Sequence, residues 1–238
     1  MQIFDYNVIT KLPELPVKSK TFINTINPHS YCMAEKDAEF KNALLSSDVL
    51  LPDGIGIVWA GKVLKDRKIS KIAGFDIFVY LLDYLEENKG SCFFLGASQN
   101  ELDLIRSKAA VEYPNITIGM YSPPFKSEFS AEDSKEMCDQ VNAFKPDVLF
   151  VGMTAPKQEK WVHAHKDALN VEITCCIGAV FDFYAGTVKR SHPFWIKHGL
   201  EWLPRFFKEP KRLAERNLVS TPKFILEVFK HKIAPKKG

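Results

Sequence analysis

The sequence has no Asp-x-Asp pair, no Cys-x-x-Cys, no internal repeat and no low-complexity tract. Its five cysteines, Cys32, Cys92, Cys138, Cys175 and Cys176, are odd in number and have neither zinc-ligand spacing nor histidine pairs nearby. That argues against a disulfide framework and a structural zinc, and fits a reducing compartment. No apolar run approaches the roughly 18 residues that a spanning helix needs, and the first residues lack the basic start and apolar stretch of a secretory leader. The expectation is a cytoplasmic protein with no metal and no cofactor.

What is present is a chain of 238 residues, 46% hydrophobic, enough for one α/β domain with an addition. The net charge of +3 is unevenly spread. From Thr187 to Gly238 there are 13 Lys and Arg against 4 Asp and Glu, so this end carries +9 and the preceding 186 residues carry −6. A basic end on an acidic body suits an anionic partner such as phospholipid, a diphosphate or nucleic acid, although a solvated helical tail has the same composition.

Short apolar runs alternate with helical patterns along most of the chain. Strands are predicted at Thr21 to Ile26, Val49 to Leu51, Ser91 to Leu95, Ile116 to Met120, Val148 to Val151 and Ile173 to Ile177. Between them, Tyr31 to Leu45, Phe75 to Glu87, Glu101 to Val111, Ala131 to Phe144 and Pro156 to Ala168 read as helices. This is the pattern of an α/β, Rossmann-like fold: a mainly parallel sheet with helices on both faces and its ligand-binding loops at the carboxyl ends of the strands. Residues 1–193 form the expected catalytic domain. Residues 194–238, rich in aromatics, bases and prolines, read as a helical appendage.

Several motifs fall on those loops. Pro52-Asp53-Gly54 sets a carboxylate on a strand-to-helix turn, where an Asp-Gly pair also has a plain structural use. Gly54-Ile55-Gly56 is a fragment of a dinucleotide fingerprint with Trp59 in the place of its third glycine. Thr25 and Asn27 stand just before a helix, where such residues bind sugar hydroxyls or cap the helix. Strand-to-turn glycines at Gly96 and Gly152 leave backbone N–H groups to receive a phosphate, and also suit close packing. Pro156 starts a helix whose first turn carries Lys157, suited to a phosphate, Gln158, suited to a base or sugar, and Glu159.

Taken in order, TxNP (Thr25 to Pro28), PDGIG (Pro52 to Gly56), GxD (Gly74 to Asp76), PKQExW (Pro156 to Trp161), FDFxAG (Phe181 to Gly186) and GLEWLxR (Gly199 to Arg205) resemble the WecG/TagA/CpsF glycosyltransferases. The likeness runs from about Thr21 to Phe224. Lys71, Arg190-Ser191-His192-Pro193 and Glu215 depart from the family pattern. The resemblance implies inverting transfer of a sugar from a UDP-sugar to a polyprenyl-diphosphate-linked acceptor, in the synthesis of surface polysaccharide or teichoic acid. The sugar would be an N-acetylhexosamine such as ManNAc, or a related hexose or uronic acid. It further implies Asp53 as catalytic base, Thr25 beside it, and Gln158 in UDP-sugar binding. Asn27, Gly54, Gly96, Gly152, Lys157 and Glu159 complete the expected substrate site.

Without an Asp-x-Asp pair, the charge on a departing UDP falls to helix N-termini, Lys157 and the tail arginines Arg205, Arg212 and Arg216, with Arg205 best placed by motif. The aromatic, basic appendage also has the composition of an interfacial segment, so a peripheral contact with the anionic inner face of the cell membrane is expected. Packing of the same rings on the core or in a homo-oligomer is the alternative. Two other classes use parts of these features. A NAD-dependent oxidoreductase would use the glycine turns, but the fingerprint is incomplete; a nucleic-acid-binding module would use the basic tail, but no reading motif is present. Sugar transfer should persist when divalent ions are chelated. Activity lost in EDTA and restored by magnesium or manganese, in a UDP-release assay, would reveal a metal site that the sequence does not display.

Overall fold

A computed structural model of the chain describes residues 1–189, 191–192, 194–195, 200, 202–208 and 210–233. The chain opens with a small antiparallel hairpin, β1 (Gln2–Ile3) and β2 (Tyr6–Asn7), which the hydrophobic pattern does not announce. It then runs β3 (Thr21–Ile26), α1 (Pro28–Ala34), α2 (Ala38–Leu45), β4 (Val49–Pro52), α3 (Ile55–Lys65) and α4 (Gly74–Asn88). β5 (Ser91–Gly96), α5 (Gln99–Glu112), β6 (Thr117–Tyr121), α6 (Ala131–Phe144) and β7 (Val148–Gly152) follow. The body closes with α7 (Lys157–His165), β8 (Ile173–Cys176) and α8 (Val180–Ala185). Strands β3 to β8 form one parallel sheet in the order β4-β3-β8-β7-β5-β6, as the alternation of patterns predicts.

Both faces of this sheet are covered, so its central strands β5 and β7 are mainly apolar rather than alternating with polar residues. Along β5 and β7, Cys92, Phe94, Val148 and Phe150 face α4, α5 and α8, while Phe93, Leu95, Leu149 and Val151 face α6 and α7. All eight are at most 3% exposed. The predicted helix from Tyr31 to Leu45 is two helices. Asp37 accepts a hydrogen bond from the Phe40 N–H at 3.0 Å and starts α2 afresh, and side-chain capping of this kind competes with helix continuation.

The appendage is divided in character. α9 (Trp202–Lys208) and α10 (Pro210–Ala214) lead into a π-helical turn, Glu215–Ser220, and then α11 (Thr221–Ile233). α11 packs on α1 and α3 and completes a third core cluster at the β4 edge, where Phe224 and Val228 are fully buried with Tyr6, Tyr31, Phe40 and Ile57. The Phe224 ring meets Tyr31 edge-on at 5.3 Å and Phe4 at 5.8 Å. The last helix is therefore part of the body's core. Truncating a fully buried ring removes its transfer free energy and leaves a cavity, so Phe224→Ala should destabilise the protein by about 3–5 kcal/mol in reversible denaturant unfolding. A loss below about 1 kcal/mol would mean that the α11 contact is dispensable.

Candidate active site

The carboxyl ends of β3, β4, β7, β5 and β8 open on one edge of the sheet, and of the predicted site residues Thr25, Asn27, Asp53, Gly54, Gly96 and Gly152 stand there by strand register. Thr25 pairs with Leu51, and Ile26 pairs with Pro52. The Asp53 N–H continues the ladder by donating to the Ile26 carbonyl at 2.9 Å. Because side chains alternate along a strand, Thr25 and Asp53 lean to the same face, diagonally across β3 and β4. Both are half-buried. The Ile72 N–H donates to the Pro52 carbonyl at 2.9 Å, which brings residue 71 alongside the Asp53 turn.

Two helices start at this turn. Asn27 caps α1, its Oδ1 accepting from the N–H groups of His29 and Ser30 at 3.0 Å each, so the capping use expected of it is realised and its oxygen is committed. Gly54 begins α3 at φ +89°, a region that favours glycine, and α3 has no side-chain cap of its own. A Cβ on Gly56 would lie 2.5 Å from the Pro28 ring, which is how closely the first turns of α1 and α3 approach.

At the neighbouring strand exits the expected residues serve packing and cross-links. A Cβ on Gly96 would meet the Gly152 carbonyl oxygen at 2.4 Å, and one on Gly152 would meet the Phe181 ring at 2.1 Å. The Ala97 N–H donates to Gly152 O at 3.2 Å. These glycines let two turns and a ring pack together. Lys157, expected on a phosphate, points to another loop: its Nζ donates to Lys126 O at 2.7 Å and lies 4.4 Å from the centre of the Phe129 ring, where burial lowers its pKa.

Gln158, 4% exposed, uses one oxygen twice. Its Oε1 accepts from the Met153 N–H and from the Gly178 N–H, both at 3.1 Å, and so ties the turn after β7 to the turn after β8. Its Nε2 donates to Glu159 Oε1 at 2.8 Å. Glu159 is 6% exposed, and burial raises its pKa to about 7; the hydrogen bond from Gln158 works in the other direction without offsetting that. Gln158 and Glu159 thus turn inward, where the sequence suggested direct contact with a ligand.

Of the tail arginines, only Arg216 has a described side chain; those of Arg205 and Arg212 lie outside the described residues. Docking of α11 carries Arg216 to the first turn of α1. His29 Nδ1 and Ser220 Oγ share a hydrogen bond at 2.9 Å, and the Cys32 thiol donates to Ser220 O at 3.3 Å. The His29 pKa is lowered by burial first and by the Arg216 charge second. Nothing local in the sequence signals this contact, because its partners are 191 residues apart.

Comparison with known proteins identifies the family. A sequence model described as the glycosyl transferase WecG/TagA/CpsF family matches residues 7–238. The chain is similar to an enzyme of Bacillus spizizenii named N-acetylglucosaminyldiphosphoundecaprenol N-acetyl-beta-D-mannosaminyltransferase, with 33% identity over 91% of this chain and 81% of the relative. A protein of the same name from Bacillus subtilis is 34% identical over 87% of this chain and 78% of its own length. One from Staphylococcus aureus is 28% identical over 91% and 83%. With a match across nearly its whole length and a parallel α/β sheet whose carboxyl edge gathers the PDG and TxNP motifs, the chain belongs to the WecG/TagA/CpsF family and is a glycosyltransferase.

Proposed function

We propose that the protein transfers N-acetylmannosamine, with inversion, from its UDP-linked form to N-acetylglucosamine carried on a polyprenyl diphosphate. The names of the similar bacterial enzymes supply the sugar and the acceptor. The observation that carries the mechanism is the Asp53 turn: a half-buried carboxylate at the end of β4, diagonal to Thr25, where α1 and α3 both begin.

In this reading the acceptor hydroxyl attacks the anomeric carbon of the donor from the side opposite UDP. Asp53 takes the hydroxyl proton as the new glycosidic bond forms, the bond to the UDP oxygen breaks, and UDP leaves with that electron pair. Thr25 lies beside the base and orients the sugar. The growing negative charge on UDP needs fixed positive groups. The uncapped first turn of α3 offers backbone N–H groups, and Arg216, held near His29 by α11, offers a guanidinium. Arg205 and Arg212 are proposed to add to this from the same appendage.

The acceptor's lipid calls for approach to a membrane. No helix among the described residues is long and apolar enough to cross one. The appendage exposes large apolar side chains instead, among them Phe207 at 75%, Leu218 at 64%, Leu226 at 59% and Phe194 at 56%. Interspersed with lysines and arginines, they suit a peripheral contact with an anionic leaflet on the inner face of the cell membrane.

Replacing the base should stop chemistry but spare binding. Asp53→Asn is expected to fold and bind UDP normally while turnover falls roughly 10²- to 10⁴-fold, the span of a general base. Near-normal UDP release by the folded variant would remove Asp53 from the mechanism. Arg216→Ala should lower kcat on the order of 10²-fold, as loss of a leaving-group contact does, with vesicle sedimentation unchanged because membrane attraction is spread over many bases. Full kcat in Arg216→Ala would leave the diphosphate to other cations.

A further inference from the structure

We propose that Glu159 is a positioning residue for this transfer: a buried carboxyl whose Oε1 fixes the Gln158 amide, and through it the turns that follow β7 and β8. The inference rests on the proposed reaction only for its kinetic consequence; the positioning itself is a matter of geometry.

A side-chain amide can sit in two orientations related by a flip. Here the flip is decided from both ends. The N–H groups of Met153 and Gly178 both point at one amide atom of Gln158, which must be the oxygen, and the NH2 group then needs an acceptor. Glu159 Oε1 is that acceptor at 2.8 Å. Without it, the buried amide would lose its orienting partner and one donor would be left unsatisfied. The last ladder bond between β7 and β8 runs from the Ile177 N–H to the Val151 carbonyl at 3.0 Å, and beyond it the amide oxygen ties Met153 to Gly178, so a loosened amide would loosen the turns themselves.

The second carboxyl oxygen argues for a bound proton. Glu159 Oε2 is buried without a hydrogen-bond partner among the described residues, and so is the Oδ1 of Asn24. Asn24 follows the Ile23–Cys175 pair of β3 and β8, which sets it beside Cys176 on the face covered by α7. The charge of Glu159 is felt at Cys176. A face with two unpaired acceptor oxygens needs a donor, and a carboxylic acid O–H is one. Burial that raises the Glu159 pKa to about 7 acts in the same sense.

The test uses the full chain with Glu159→Met, which keeps the side-chain length but accepts no strong hydrogen bond, and Glu159→Gln, which keeps a neutral acceptor. Amide hydrogen exchange at Met153 and Gly178 should quicken at least about tenfold in Glu159→Met and stay close to wild type in Glu159→Gln. UDP release from UDP-N-acetylmannosamine, with a lipid-diphosphate N-acetylglucosamine acceptor, should lose roughly 10²-fold in kcat/KM in Glu159→Met, with the Gln variant restoring most of it. Wild-type stability should fall as pH rises from about 4.5 to about 7, because the folded state holds the proton more tightly than the unfolded chain, and Glu159→Gln should lack that part of the fall. Wild-type exchange and wild-type kcat/KM in folded Glu159→Met would overturn the proposal, as would a Glu159→Gln that loses as much as Glu159→Met. Faster exchange with unchanged kcat/KM would separate the clamp from catalysis and overturn the link between them. If the wild-type protein releases no UDP from this donor, the proposed reaction fails and the exchange measurement alone decides the positioning.

Discussion

A parallel sheet buried on both faces meets solvent only at its strand ends and along its edge strands, and this constraint governs the rest of the molecule. Every crossover must lie on one face or the other, so α4, α5 and α8 cover one side while α6 and α7 cover the other. Polar groups that are to meet a ligand are then confined to the turns where strands end. Asp53 and Asn27 stand on such turns, Thr25 lies in the last residues of β3, and Gln158 works from the first turn of the helix that follows β7. That these motifs share one edge follows from the way the sheet is covered.

Having several turns converge at one edge brings a packing requirement. The Gly96 and Gly152 backbones approach each other and the Phe181 ring more closely than any side chain would permit. Gln158 then holds the β7 and β8 exits together from below with one amide oxygen. Close packing and a shared hydrogen-bond acceptor hold these turns in one arrangement, which is the form of pre-organisation that the proposed site would need. The buried carboxyl of Glu159 is an unusual component of such an arrangement. Burial works against a charge there, and a neutral acid can both accept and donate.

The C-terminal segment is tied to the body through one helix. Phe224 and Val228 anchor α11 in the core formed with α1 and α3, and the π-helical turn before it sets Arg216 against the start of α1. Leu218 and Leu226, exposed on the π-helical turn and on α11, are thereby carried on elements that pack against α1. The appendage is a distinct stretch by composition, but its end is structurally continuous with the catalytic body.

The fold was legible because its signals are local and periodic. The six core strands fall within a residue or so of their predicted bounds, since short apolar runs such as Phe93-Phe94-Leu95 and Leu149-Phe150-Val151, each ending in a glycine, have the length and flanks of buried strands. The division of α1 from α2 and the β1–β2 hairpin were not, because a single cap and a two-residue pairing leave little periodic trace. By itself the sequence determined the strands, the strand-to-helix turns and the residues that stand on them, and its ordered motifs identified the family. Only the tertiary structure decided which way those residues face. Lys157 turns to the Lys126 carbonyl, Gln158 and Glu159 turn into the protein, and Arg216 is brought to His29. Orientation depends on partners far away in the chain, and no pattern confined to neighbouring residues carries it.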